Sequence, residues 1–593
     1  MRNTSTRISR AIKLVWTETP LYIYAVVPLT VVQGFFPLGQ LYLGKLLIDR
    51  VADALSGDKV LINLEPLIIL FGLQVGLSLL ETALSSVQEV LTLSSNEHLA
   101  HRIKIRILEK SEKMGVAAFE DSEFYDELQN AFQEAGSRPL QVMSSFTSII
   151  RGVVTLSSFV VVVWTLSPWI VATLVMAAAP EFWIRNIFGK ANYWMLRWRA
   201  PEMRRQQYYS HVLLTDYLVK EVKLFNLEPL LIYKFNRLFK KFFAETMRLY
   251  RRRALAQFGG SLVGAVGRLG AFLFVARAVL SGTLTVGDVT LVLGAISQFR
   301  TQVSSILGGI SGLYEHSLFI SNLFHFLDAP GSGLNKGKPW TERVESVEFQ
   351  NVSFSYPGSS RKILSNISFK TCRGETIGIV GHNGAGKTTL IKLLSALYRP
   401  TSGRVLFNGT DTAEYSQRTL QTQISATFQD FGRYQMNVKS NIAVSDVHNT
   451  HPLDAHEAAA KMAGVNDYVD ELPKGFDTQL GRWFDEGEEL SGGQWQKIAL
   501  ARSYYRDAPV IILDEPTAAL DPESEYEIYK RVRSFTDDCI TFLISHRLAS
   551  MRLADKVLVL SEGSVVEQGN HSQLMQIGGE YRKQFDLQAE GYV

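Results

Sequence analysis

Gly381-His382-Asn383-Gly384-Ala385-Gly386-Lys387-Thr388 decides the fold of the C-terminal half of this chain. An apolar run, 376–380, leads into it and a helical pattern, 389–397, leads out. Glycines at this spacing let backbone N–H groups curl round an anion, and a helix N-terminus adds positive potential. Lys387 is a cation placed for β- and γ-phosphates, and Thr388 offers a hydroxyl to Mg²⁺. Strand, phosphate loop and helix in that order predict an α/β domain that binds a nucleoside triphosphate.

Further along, Val510-Ile511-Ile512-Leu513-Asp514-Glu515 reads as a buried strand ending in two carboxylates. Asp514 is placed to hold Mg²⁺, commonly through water. Glu515 is placed to orient or deprotonate an attacking water, since phosphoryl transfer needs positioning and charge stabilisation above all. By itself this pattern suits a strand ending in solvated acids better. Other short β-type runs, at 344–349 and 540–544, alternate with helical stretches, which is α/β architecture. Upstream, Asp328-Ala329-Pro330-Gly331-Ser332-Gly333 and Lys336-Gly337-Lys338-Pro339 form a Gly/Pro-rich linker. The expected division is a membrane domain at 1–330, a linker at 331–343 and a nucleotide-binding domain at 344–593.

The first half differs. Apolar segments at 21–48, 66–86, 142–166, 169–188, 258–280 and 286–307 are each about long enough to cross ~30 Å of hydrocarbon. The expected fold class is therefore a membrane all-α domain of six long transmembrane helices plus an α/β phosphate-loop domain. Pro28 and Pro37 should kink the first span. Residues 98–139 and 185–253 are basic, the latter ending in Arg251-Arg252-Arg253, whereas the alternate connections at 56–58, 167–168 and 281–283 are short and poor in Lys and Arg. Positive charge stays inside, so both termini face the cytoplasm. Trp164 and Trp169 flank an outer turn, as an aromatic belt requires. Leu99, Ile103, Ile107 and Met114 recur at near-helical spacing, so the basic segments read as helices running on past the membrane.

Composition sets the remaining bounds. The 593 residues are 46% hydrophobic and 20% charged, a mixture of two unlike halves. A net charge of +3 is too small to argue for nucleic acid. Cys372 and Cys539 lie far apart and imply no disulfide framework or zinc site; both are expected in the core. Arg2, Arg7, Arg10 and Lys13 precede an apolar stretch too long for a cleavable signal.

Leu490-Ser491-Gly492-Gly493-Gln494 lies between the two nucleotide motifs, and with them the chain strongly resembles the ATP-binding-cassette (ABC) family. Six spans fused ahead of one nucleotide domain resemble its half-transporter exporters. The resemblance implies ATP and Mg²⁺ as ligands and assigns further residues. Tyr356 matches the aromatic that stacks on adenine. Gly381, Asn383, Gly384, Gly386, Lys387, Thr388 and Thr389 match the phosphate loop. Gln429, with Thr388 and Asp514, matches the Mg²⁺ set and links it to the membrane domain. Asp521 matches the loop joining two nucleotide domains, and His546 the γ-phosphate contact beside the catalytic Glu515. Ser491, Gly493 and Gln494 match the signature that approaches the nucleotide of an opposite subunit. One chain then builds half of each site, so the family implies an obligate dimer; intact Glu515 and His546 favour a homodimer.

The resemblance also implies coupling helices, near Phe119-Glu120-Asp121-Ser122-Glu123-Phe124-Tyr125 and near Glu221-Val222-Lys223-Leu224-Phe225; either stretch also suits plain amphipathic surface. Gly481-Arg482-Trp483-Phe484-Asp485-Glu486-Gly487-Glu488-Glu489 stands where the family has its relay segment and departs from that segment's pattern. Glu81, Arg151 and Arg268 fall within predicted spans, where ionisable groups face a cavity or one another. They are candidates to line an amphipathic cargo cavity, with a structural ion pair as the equal alternative. The expected function is ATP-driven export of an amphipathic peptide, lipid or drug-like compound by alternating access, from the cytoplasmic side of a bacterial plasma membrane. A lipid flippase or an ATP-regulated channel remain the alternatives. The absence of an N-terminal peptidase domain argues against leader-peptide cleavage.

Overall fold

The computed structural model describes residues 2–56, 64–135, 138–166, 168–281, 284–331, 333, 336–447, 451–452, 454–516 and 538–590. Its contacts divide the chain into two units: Met1–Ser111 with Glu123–Ala329, and Glu112–Ser122 with Pro330–Val593.

Among its described residues the first unit is helical: α1 (Arg2–Glu18), α2 (Pro20–Ser56), α3 (Glu65–Glu112), α5 (Ser122–Glu134), α6 (Arg138–Leu166), α7 (Pro168–Leu214), α8 (Asp216–Leu224), α9 (Glu228–Leu280) and α10 (Val286–Asp328); α4 (Val116–Phe119), between α3 and α5 in sequence, falls in the second unit. The six longest among the described residues are α2, α3, α6, α7, α9 and α10, of 29 to 53 residues. Each contains one of the six predicted spans. By length and apolarity, three described stretches pass as membrane spans: Tyr22–Leu55, Glu65–Glu112 and Gln141–Thr165. α7 and α9, of 47 and 53 residues, run on beyond their apolar segments. The apolar stretch of α3 has no buried residue, and Leu79 and Val90 are 65% and 67% exposed. A helix that turns large aliphatic side chains outward along its length needs lipid against it. At its other end Leu99, Ile103 and Ile107 are buried in a cluster with Val26, Val142 and Phe326, the face their spacing predicts.

Polar contacts set how these helices pack. Thr285 and Asp288 form a capping box that starts α10, and Lys45 of α2 lies 2.5 Å from the Asp288 carboxylate. Arg199 of α7 is buried and donates to Glu245 (2.8 Å), Thr246 (2.8 Å) and the Phe242 carbonyl (3.0 Å) of α9. α2 remains helical through Pro28 and Pro37.

The second unit holds two sheets. A four-stranded antiparallel sheet runs β2-β1-β4-β5, from β1 (Ser346–Phe354), β2 (Leu364–Cys372), β4 (Ser402–Phe407) and β5 (Thr410–Asp411). A six-stranded sheet runs β10-β9-β3-β8-β7-β6, from β3 (Thr376–Gly381), β6 (Ile424–Thr427), β7 (Val510–Asp514), β8 (Ile540–Ile544), β9 (Lys556–Ser561) and β10 (Ser564–Gly569). It is parallel except for β9–β10. β7 and β8 are buried at every residue, which explains their unbroken Val/Ile/Leu runs. α11 (Lys387–Leu394) follows β3, and α12 (Gly492–Tyr505) carries the signature.

Two expectations need correction. Cys539 is buried, but Cys372 is exposed, because it ends the edge strand β2 on the outward side of an alternating pattern. α11 starts two residues before the predicted 389–397 and stops three short of it, where Ala396 turns left-handed at φ +51°.

Candidate functional site

β3 hands the chain to α11 at the end of a fully buried parallel sheet, where open α/β folds collect ligands. Gly381 has φ +152°, and a Cβ there would lie 2.3 Å from the Leu560 carbonyl, so only glycine passes its neighbour strand. Gly384 has φ +82° with open space where a Cβ would be, which leaves its backbone bare to the cleft. Lys387 Nζ donates to the Gly381 (2.6 Å) and His382 (3.2 Å) carbonyls, so the cation folds back over the loop where an anion would sit. Burial pushes its pKa down, against the charges of Glu515 and Asp514.

Asp514 ends β7 buried. Desolvation, then the neighbouring Glu515 charge, push its pKa up to about 6. A carboxylate this costly to ionise is matched by a cation. The Thr388 hydroxyl and the Gln429 amide line the same cleft, giving an all-oxygen donor set that fits Mg²⁺.

Glu515 is held at every polar atom. Its φ is +50°. Its N–H donates to the Ile544 carbonyl (2.9 Å), and its carbonyl accepts from Gln496 Nε2 (2.8 Å). One carboxylate oxygen lies 2.6 Å from His546 Nε2, and the other accepts from Gln429 Nε2 at 2.9 Å. The side chain is 11% exposed, which leaves an opening for water. Tyr356 closes the opposite end: its hydroxyl lies 3.1 Å from Thr389 Oγ1, and its ring meets Phe354 and Tyr398 edge-on.

A cleft of about 560 Å³ gathers these groups. Tyr356, Asn383, Gly384, Gly386, Lys387, Thr388 and Thr389 line it from the phosphate-loop side. Gln429, Asp514, Glu515 and His546 line it from the ends of three further strands. Gly381 lies at the base of the loop without lining the cleft. Ser491, Gly493 and Gln494 lie outside it, at the start of α12, where Ser491 and Gln494 form a reciprocal capping box (3.2 and 2.8 Å). Asp521 lies outside the described residues.

Sequence reasoning missed four contributors. Arg361 and Ile363 line the cleft, and no spacing rule points to either. Gln496 fastens the Glu515 backbone. Arg502 donates to the Gly432 carbonyl (2.7 Å), the Asn441 carbonyl (2.8 Å) and Asn441 Oδ1 (2.9 Å), and burial pushes its pKa down to about 10. Arg502 had a legible signal: it shares the buried face of α12 with Trp495, Ile498 and Ala499 at helical spacing. The atypical stretch closes on itself, with Gly481 N–H donating to the Glu488 carbonyl (2.8 Å), and presents Trp483 and Phe484 to solvent.

In the helical unit a separate cavity of about 410 Å³ is lined by Thr30 of α2, by Gln88 and Glu89 of α3, and by Thr147 and Arg151 of α6, among others. Arg151 donates to Gln88 Oε1 (3.4 Å), and Gln88 Nε2 donates to Thr30 Oγ1 (3.3 Å). The Thr147 hydroxyl turns back to carbonyls of its own helix. Glu81 accepts from Gln40 Nε2 (2.7 Å) and does not line this cavity. The Arg268 side chain lies outside the described residues.

These two units define a class: a phosphate-loop nucleotide-binding domain behind a bundle of membrane helices. The pattern of the ABC transporter family matches residues 364–518. The chain is 31% identical over 584 residues to the subtilin transport ATP-binding protein SpaT of Bacillus subtilis, covering 97% of this chain and 93% of that one. It is 30% identical over 583 residues to the nisin transport ATP-binding protein NisT of Lactococcus lactis subsp. lactis, covering 95% and 93%. An ATP-dependent lipid A-core flippase of Burkholderia pseudomallei is 34% identical over 364 residues, covering 61% and 60%. The ATP-bound structure of a bacterial Atm1-family ABC exporter superposes with a TM-score of 0.80 at 23% identity, covering 95% of this chain and 97% of that one, which shows a shared fold. The chain belongs to the ABC transporter family, as a membrane exporter that binds ATP and couples its hydrolysis to transport.

Proposed function

We propose that two copies of this chain form a homodimer in the bacterial inner membrane, termini cytoplasmic, and export a small or modified amphipathic peptide by alternating access. The observation that carries the dimer is the split site: Lys387, Asp514, Glu515 and His546 share one cleft, while Ser491, Gly493 and Gln494 lie outside it at a helix N-terminus. Such an N-terminus favours an anion, and a second copy's nucleotide supplies one. The basic segments around Arg251-Arg252-Arg253 support the orientation.

In this reading Tyr356 stacks on adenine. The bare backbone at Gly384, with Asn383, Gly386 and Thr389, cradles phosphates, and Lys387 leaves the loop carbonyls for the terminal phosphates. Thr388, Gln429 and Asp514 would hold Mg²⁺, which neutralises charge on the phosphate oxygens when bound. Glu515 orients the attacking water and takes its proton, while His546 fixes the carboxylate and reaches towards the γ-phosphate. Asp521 would serve the junction between nucleotide domains. ATP drives transport only through its preference for the closed dimer.

Two features support a peptide cargo. The relatives matched along almost their whole length transport subtilin and nisin by name. The Arg151 cavity sets one cation and the Glu89 carboxylate among threonine, serine and leucine side chains, a mixture of charge, hydroxyl and hydrocarbon that suits an amphipathic molecule. The flippase reading is favoured by the lipid A-core relative, matched over 61% of this chain. ATP hydrolysis in nanodiscs separates them. Stimulation by nisin-type peptides that vanishes in Glu515→Gln is expected; stimulation by lipid alone supports flipping, and no wild-type hydrolysis sinks both.

A further inference from the structure

The segment Glu112–Ser122 belongs in sequence between helices of the membrane unit, yet its contacts place it in the nucleotide-binding unit. Val116 and Ala117 of α4 pack against the core cluster that contains Leu390 and Ile391 of α11. Arg418 lies 2.9 Å from Glu112 at the segment's start. Near its end Glu120 caps α4, its N–H donating to the Val116 carbonyl.

Both carboxylate oxygens of Glu120 are committed. Lys392 Nζ donates to one at 2.6 Å, and the Tyr398 hydroxyl donates to the other at 2.7 Å. Each donor also meets the ring of Tyr356. Lys392 Nζ lies 5.2 Å from its centroid, and the Tyr398 ring stands edge-on to it at 5.5 Å. On the far side the Tyr356 hydroxyl is tied to Thr389 Oγ1, one turn of α11 before Lys392. Burial works against ionising Glu120, yet the bonds from Lys392 and Tyr398 hold its carboxyl below the ordinary glutamate range. An exposed ion pair is ordinarily worth little. Here one carboxylate fixes two side chains that together set the position of a third.

We propose that Glu120 is a positioning residue for the base end of the nucleotide site: through Lys392 and Tyr398 it fixes the Tyr356 ring, so that seating of residues 112–122 and binding of the base strengthen each other. The proposal rests on the reading that Tyr356 meets the base. Coupling of this kind is reciprocal: whatever displaces the segment weakens base binding by the factor that the base adds to its seating. The Lys387 cation and the loop backbone, which carry the triphosphate end, make none of these bonds, and the link touches that end at the Thr389 hydroxyl.

The test uses full-length protein in nanodiscs. Dissociation constants for ATP and for inorganic tripolyphosphate, which has no base, are measured by competition against a fluorescent ATP analogue. Glu120→Gln is expected to weaken ATP about threefold to tenfold, a fraction of a charge-assisted hydrogen bond, and to leave tripolyphosphate unchanged. Lys392→Gln should weaken ATP likewise, and Glu120→Gln should add nothing in the Lys392→Gln background. Unchanged ATP affinity, equal weakening of ATP and tripolyphosphate, or additive single effects would each overturn the proposal. Should Glu120→Gln not fold, Tyr398→Phe removes one of its two bonds and is read the same way. Because the readout is binding, absence of wild-type hydrolysis would sink the export reading without deciding this one.

Discussion

Glu515 occupies a backbone conformation that a side chain with a Cβ resists by about 1–2 kcal/mol. The Ile544 carbonyl and the Gln496 amide hold it there, and the result is a carboxylate aimed between His546 and Gln429. Gln496 holds the Glu515 backbone and does not line the cleft, so Gln496→Ala is expected to lower kcat about tenfold, as one lost positioning bond would, with the ATP dissociation constant retained. Phosphate release and nucleotide binding measured on the same sample check this; a fall in affinity instead would make Gln496 a packing residue. A different residue carries a stability prediction. Gln33 of α2 is 2% exposed, and neither polar atom of its amide has a partner among the described residues. An orphaned buried amide costs about 1–3 kcal/mol. Gln33→Leu should therefore raise the thermal midpoint in nanodiscs, and a lowered midpoint would show that the assembled dimer satisfies the amide.

At the scale of elements, α12 organises the site twice. Its first turn presents the signature through the Ser491–Gln494 capping box, and its last turn anchors, through Arg502, the Gly432–Asn441 stretch that follows Gln429. Removing the guanidinium leaves three neutral acceptors without it, and an acceptor left unsatisfied away from water costs about 1–3 kcal/mol. Arg502→Met is expected to lower the unfolding midpoint of the protein clearly, whereas Lys497→Met, which gives up a single bond to the exposed Asp467, should change it less. Equal effects would show that α12 is held by its apolar face alone. α10 offers a parallel case in the membrane unit: Asp288 closes the capping box and also meets Lys45, so it joins the start of one helix to the side of another.

For the whole molecule, the question is how the nucleotide site is connected to the chain that runs into the membrane. The Glu120 link has a definite pH signature. A carboxyl held below its ordinary 4.5 contributes fully above that value and is lost as pH falls through its lower, folded-state pKa. The affinity gap between wild type and Glu120→Gln should therefore be flat from about pH 6.5 to 8.5, well above the carboxylate range. A gap that changes across that range, followed by competition binding, would show that the Glu120 carboxylate is not the group that sets the affinity.

The sequence by itself determined the local chemistry. A phosphate loop needs glycines at set spacing and a cation at its end, and β7 and β8 need unbroken apolar runs because both faces are covered; these demands fall on consecutive residues. Long apolar segments and their basic flanks followed for the same reason. What joins distant residues was decided only by the tertiary structure. Glu120 meets Lys392 and Tyr398 across more than 270 positions, Gln496 meets the Glu515 backbone, and Arg361 reaches the cleft from the loop after β1. No local spacing encodes such contacts, because they depend on how sheets and helices pack rather than on the period of any one element. Cys372 shows the same limit: its exposure follows from β2 lying at a sheet edge, and edge position is a property of strand order.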